Sequence, residues 1–123
     1  MALLDRYRLR YNEPPPTVEV LYDDTPVAEL AFTREVFTFR YLPAFSDFKL
    51  APIPGFPTVA PEKKYVRAKL WPFFAQRIPD KRRPEIQRVM QVLGLLDANE
   101  LRLLAELGAH SVTDPYTLRF RAA

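Results

Sequence analysis

Cysteine is absent from this 123-residue chain, histidine occurs once, as His110, and glycine only three times, as Gly55, Gly94 and Gly108. Without cysteine there is neither a disulfide framework nor a thiolate metal site, and a single histidine excludes a two-histidine ligand set and Cys–His catalysis. Glycines so widely spaced form no glycine-rich phosphate loop. No apolar run approaches the roughly 18 residues that a membrane-spanning helix needs. Met1 to Leu4, followed by Asp5 and Arg6, is too short an apolar stretch for a signal peptide, so the expected location is the cytoplasm, with no membrane partner. Charge of one sign is scarce as well. The 18 Lys+Arg against 15 Asp+Glu leave +3, and opposite signs alternate along most of the chain, which falls short of a basic nucleic-acid footprint.

Proline and the aromatics are abundant instead, with 13 Pro, 9 Phe and 6 Tyr beside a single Trp. A hydrophobic content of 48% with 27% charged residues is that of a folded globular chain, and the length suits one core. Arginine outnumbers lysine 13 to 5, a bias that suits paired or interfacial contacts more than simple solubility.

Residues 6–11 alternate strictly, with Arg6, Arg8 and Arg10 on one side and Tyr7, Leu9 and Tyr11 on the other, until Pro14-Pro15-Pro16 ends the pattern. This divides the chain into an N-terminal arm, 1–16, and a domain, 17–123. The alternation from Thr17 to Tyr22, the turn at Asp23-Asp24, the run Val27 to Phe32, a break at Thr33-Arg34-Glu35, and Val36 to Tyr41 predict an antiparallel meander with one apolar face. Five prolines between 43 and 61 forbid helix or central strand, while Phe45, Phe48, Ile53 and Phe56 predict an extended surface loop pinned by its aromatics. Pro72 opens a helix running to about Ile78. Pro84 opens a second, with Ile86, Val89, Met90 and Leu93 on one face and Gly94 as its stop. Asp97 with Glu100 opens a third, with Leu101, Leu104 and Ala105 inward and Gly108 at its end. Thr117 to Arg121 reads as a strand returning to the sheet. The fold class is therefore α+β: a small antiparallel sheet, about three helices packed on one face, and a C-terminal strand rejoining the sheet.

Little in this pattern supports catalysis. Asp23-Asp24 and Asp97/Glu100 are explained by a turn and a cap, and His110, Ser111 and Asp114 crowd one short loop where a triad cannot converge. No cofactor, metal or small-molecule substrate is expected. Trp71 stands out because Pro72 holds it extended at a loop–helix junction. There it either covers the core or serves as an exposed anchor for a protein partner, with Arg67 and Lys69 flanking it and Phe74 one turn on. Arg6, Arg8 and Arg10 are the candidate nucleic-acid contacts.

The succession Val18-Glu19-Val20-Leu21-Tyr22, Val27-Ala28-Glu29-Leu30 and Phe37-Thr38-Phe39-Arg40-Tyr41 resembles the opening meander of the N-terminal subdomain of HipA-type serine/threonine kinases. The resemblance continues through Trp71-Pro72-Phe73-Phe74, Ile78-Pro79-Asp80, Pro84 to Gly94, Leu103 to Gly108 and Ser111-Val112, spanning roughly residues 17–121. It departs at Thr113-Asp114-Pro115, where the family usually places glycine, and in two extra residues before Pro84. The kinase core that follows in HipA-type toxins has no counterpart before Ala123. The resemblance thus implies a free-standing, HipS-like antitoxin that restrains a HipT-like kinase, in some systems beside a helix-turn-helix DNA-binding protein. A DNA-binding or operator-accessory module and a non-inhibitory scaffold subunit of the kinase are the alternatives.

Overall fold

Strands β1 (Thr17–Tyr22), β2 (Thr25–Thr33) and β3 (Val36–Tyr41) follow one another as antiparallel neighbours in a computed structural model that describes residues 17–95, 100–109 and 114–121. Both hairpins close on two-residue turns, Asp23-Asp24 and Arg34-Glu35, with all four residues at positive φ. That is the turn geometry whose twist matches the flanking strands. Two further strands complete the sheet. The C-terminal β5 (Tyr116–Arg121) rejoins the sheet as expected, pairing antiparallel with β1, and a short β4 (Tyr65–Arg67) pairs with β3, giving the order β4-β3-β2-β1-β5. The proline-dense sequence around it concealed β4, because three residues give too little alternation to read.

Register separates the two faces of the sheet. Phe39, Leu30, Val18 and Phe120 form one cross-strand row and Tyr41, Ala28, Val20 and Leu118 the next, and together they floor the main core. The opposite face carries the row Arg40, Glu29, Glu19, Arg119, in which Glu29 pairs with Arg40 at 2.6 Å and Glu19 with Arg119 at 2.9 Å.

The proline-rich segment lies on the core as an inserted layer. Phe45, Ile53 and Phe56 are all buried, and Phe56 stacks on Phe39 with ring centroids 3.7 Å apart. The buried Tyr41 hydroxyl fastens the loop by donating to the Phe56 carbonyl at 2.6 Å and accepting the Ile53 N–H at 2.9 Å. One expectation fails locally: Pro43–Asp47 forms a 3-10 helix, because a proline in the first turn gives up no needed N–H.

The helices are α1 (Pro72–Ala75), α2 (Pro84–Val92) and α3 (Glu100–Leu107). Helix α1 is shorter than expected, although 3-10-type bonds from Arg77 and Ile78 N–H continue its turn. Helix α3 buries Leu101, Leu104 and Ala105 in the main core as expected, while Leu103 joins Met90 and Leu95 in a second, smaller cluster. Helix α2 contacts only that second cluster. Of its expected inward face, Met90 is buried and Ile86 half-buried, but Val89 and Leu93 are 42% and 51% exposed. A helix seated on another helix's flank, away from the sheet, buries a narrower stripe than one laid on a sheet. Gly94 ends α2 at φ +70, and the Leu95 N–H reaches back to the Met90 carbonyl at 2.7 Å.

Candidate functional site

The segment from Lys63 to Phe74 runs from the sheet edge into the core, and it carries the four expected partner-binding residues. Trp71 holds the extended angles imposed by Pro72, with φ −64 and ψ 147, at the N-cap of α1. Its indole turns inward: Trp71 is 8% exposed, with ring centroids 4.9 Å from Phe56 and 6.4 Å from Phe39. The reading of Trp71 as an exposed anchor is therefore corrected. On the loop side Phe56 packs against the indole and Gly55 lies beside it, where an added Cβ would come within 3.8 Å of Cδ1, so the proline-rich layer covers the ring. Phe74 is fully buried beneath the same layer and presents no surface in this domain. Arg67 and Lys69 are exposed.

What surrounds those two cations is a surface that the sequence reading missed. Tyr65 turns toward the core, with its ring 5.2 Å from Phe56, and its hydroxyl bonds both the N–H and the carbonyl of Thr58. Val66 faces the other way and is 59% exposed. Lys64 lines the open face of the sheet with Arg40, Glu29 and Thr38, and Lys63 lies over the Tyr65 ring, 5.1 Å from its centroid. Lys64, Arg67 and Lys69 form no ion pair among the described residues. Exposed Val66 thus neighbours three cations that meet no carboxylate, in contrast to Arg40, Arg77, Arg82, Arg83 and Arg119, although Arg34, Lys49, Lys81 and Arg88 are likewise without an ion pair among the described residues. The available signal was the run Lys63-Lys64-Tyr65-Val66-Arg67, in which one apolar residue of an alternating pair must point outward.

Among the described residues, the remaining candidates do not come together as a catalytic centre. Asp23 and Asp24 form an exposed turn. Asp114 is engaged by the buried Arg77, whose Nη1 reaches both carboxylate oxygens at 2.7 and 2.9 Å. Asp80 is exposed, and its hydrogen bonds from Arg82 hold its carboxyl below the usual range. Burial pushes the Tyr41 hydroxyl up to about 12, and it also raises Tyr116, helped by the Asp114 charge. Both phenols are thereby kept neutral, and the Tyr41 hydroxyl serves as a hydrogen-bonding group of the loop. Arg6, Arg8, Arg10, Asp97, His110 and Ser111 lie outside the described residues. No helix among the described residues is long and apolar enough to cross a membrane.

A family model described as the HipA N-terminal domain matches residues 18–112, from the second residue of β1 past α3. Comparison with curated proteins and with solved structures finds no match.

Proposed function

This chain belongs to the HipA N-terminal domain family, and on that premise we propose that it binds a HipA-like serine/threonine kinase and restrains it, as the antitoxin of a toxin–antitoxin pair. In this reading residues 17–123 are the binding domain, 1–16 is an appended arm, and the protein does no chemistry of its own. The observation that supports it is the cationic strip Lys64, Arg67 and Lys69 around the exposed Val66, a surface with unmatched charge on a domain of a kinase-associated family. Arg67 and Lys69 keep the partner-binding role expected of them. Trp71 and Phe74 act from beneath, by holding the β4–α1 junction rigid.

The test is co-expression with a HipA-like kinase, followed by affinity capture, phosphorylation assay and growth measurement. Capture with loss of phosphorylation and rescued growth is the expected outcome. Reversing Arg67 and Lys69 together to glutamate should weaken capture by more than about 1 kcal/mol and make it less salt-sensitive, with the melting temperature unchanged. Capture without inhibition would leave a scaffold subunit. DNA contact through Arg6, Arg8 and Arg10 predicts instead a gel shift by the protein alone that fades steeply with salt, and no shift at low salt discards it.

A further inference from the structure

We infer that the outer edge of β4 takes up an acidic, extended segment of the partner as a sixth strand of the sheet. This mode of binding rests on the kinase-binding reading above.

Backbone groups along a strand point alternately to its two sides. The phase is set at β5, where the Leu118 N–H bonds the Ala109 carbonyl at 2.9 Å on the outer side. Arg119 therefore faces Glu19 of β1, and alternation through the paired residues carries the phase across the sheet. Val18 and Val20 face β2, Glu29 and Ala31 face β3, and Phe37 and Phe39 face Arg67 and Tyr65 of β4. The N–H and C=O of Val66 are left pointing away from the sheet.

The two edges are treated differently. At the start of β5 the outward groups are occupied: the Tyr116 carbonyl accepts from Arg77 at 2.9 Å, its N–H donates to Asp114 at 2.9 Å, and the Leu118 N–H donates to the Ala109 carbonyl. That half of the edge is covered by the protein's own groups, with Arg77 and Asp114 over Tyr116. On β4 the outward groups of Val66 have no partner among the described residues. An unpaired edge binds by adding a strand, with main-chain bonds for affinity and side-chain pairing for selectivity.

Charge selects the occupant. A second copy of this chain, paired antiparallel about Val66, would set Lys69 opposite Lys63 and crowd both copies of Lys64 and Arg67 along one seam, and like charges across a strand pair are destabilising. A segment in which carboxylates flank an apolar residue sets the apolar side chain beside Val66 and an acid beside Arg67 on the opposite face.

The discriminating variant is Val66→Pro. Proline removes the outward N–H yet leaves the bonds of Tyr65 and Arg67 to β3, and edge strands accept it. Val66→Thr keeps the N–H and is the control. Binding is read by fluorescence anisotropy at low salt with a labelled peptide of alternating glutamate and valine, against its lysine–valine counterpart, and by capture of the kinase in parallel. The acidic peptide should bind and the basic one should not. Val66→Pro should lose at least tenfold in affinity for both peptide and kinase, while Val66→Thr binds as the parent does. The Val66 amide of the unmodified protein should gain hydrogen-exchange protection on binding, which decides the matter if Val66→Pro does not fold. No binding of the acidic peptide, equal binding by folded Val66→Pro, or no added protection would each overturn the strand-addition proposal. Kinase capture that survives Val66→Pro removes this edge but keeps the kinase reading. Peptide binding without kinase capture does the reverse.

Discussion

Tyr41 shows how much of this fold hangs on single polar atoms. Its side chain sits on the sheet floor, and its hydroxyl satisfies two backbone groups of the proline-rich layer, at Ile53 and Phe56. Ionisation would bury a phenolate, and so burial pushes its pKa up to about 12 from the ordinary 10.0. The folded state therefore holds its proton more tightly than the unfolded state. The associated stability is complete below pH 10 and is lost as pH rises toward 12, with a slope of at most about 1.4 kcal/mol per pH unit. Chemical denaturation between pH 9 and 12 should show this slope. Tyr41→Phe should flatten it while starting about 1–3 kcal/mol less stable at pH 7, because the Ile53 N–H and Phe56 carbonyl lose their partner. A Tyr41→Phe profile as steep as the parent's would assign the alkaline loss to other groups, Tyr116 first among them. Trp71 belongs to the same buried layer. Its extended backbone was legible from Pro72 alone, but its exposure was not, because the residues covering it, Gly55 and Phe56, come from a loop whose path no local pattern fixes.

Among the elements, the β2–β3 hairpin carries a removable strain. Arg34 and Glu35 lie at φ +53 and +66, a region that side chains with a Cβ enter at a cost of about 1 kcal/mol each. Both are exposed, and their turn is the type that prefers asparagine followed by glycine. Glu35→Gly should stabilise the protein by roughly 0.5–1 kcal/mol, read as a rise of a few degrees in Tm. A fall in Tm would mean that the Glu35 side chain contributes more than its backbone costs. The three meander strands and the return of β5 were readable because apolar residues alternate in β1, β3 and β5 and form an apolar-rich run between turn residues in β2. Strand β4 and the 3-10 turn at Pro43–Asp47 were not, since three to five residues among prolines carry no period. Helix α2 shows the converse limit. Its apolar spacing was real, but periodicity says only that a stripe exists, and a stripe laid on α3 instead of the sheet leaves Val89 and Leu93 in solvent.

Across the whole molecule, Arg77 joins what the sequence separates. Its side chain is 2% exposed, donates to Gly108, Ala109 and Tyr116 carbonyls at 2.8, 3.1 and 2.9 Å, and pairs with Asp114 at 2.7 Å. One guanidinium thus ties the end of α1 to the end of α3 and to the start of β5. Arg77→Leu should cost about 3–5 kcal/mol, because it strands the partly buried Asp114 charge and three carbonyls. Pairing it with Asp114→Asn should recover part of that loss, and denaturation curves of the two variants check both statements. Full additivity would show that the ion pair is not what Arg77 supplies. The same clamp covers the outer edge of β5 at Tyr116, whereas the outward groups of Val66 on β4 have no partner among the described residues. By itself the sequence determined the α+β class, the strand meander, the helix starts at Pro72 and Pro84, and the absence of thiolate and two-histidine chemistry. Each of these follows from composition or from a period that a neighbour in the chain enforces. Only the tertiary structure decided that Trp71 and Phe74 are core, that Arg77 is a buried hub, and that Val66 with Lys64, Arg67 and Lys69 forms the exposed edge. Burial and strand order are set by contacts between residues far apart in sequence, which no local pattern encodes.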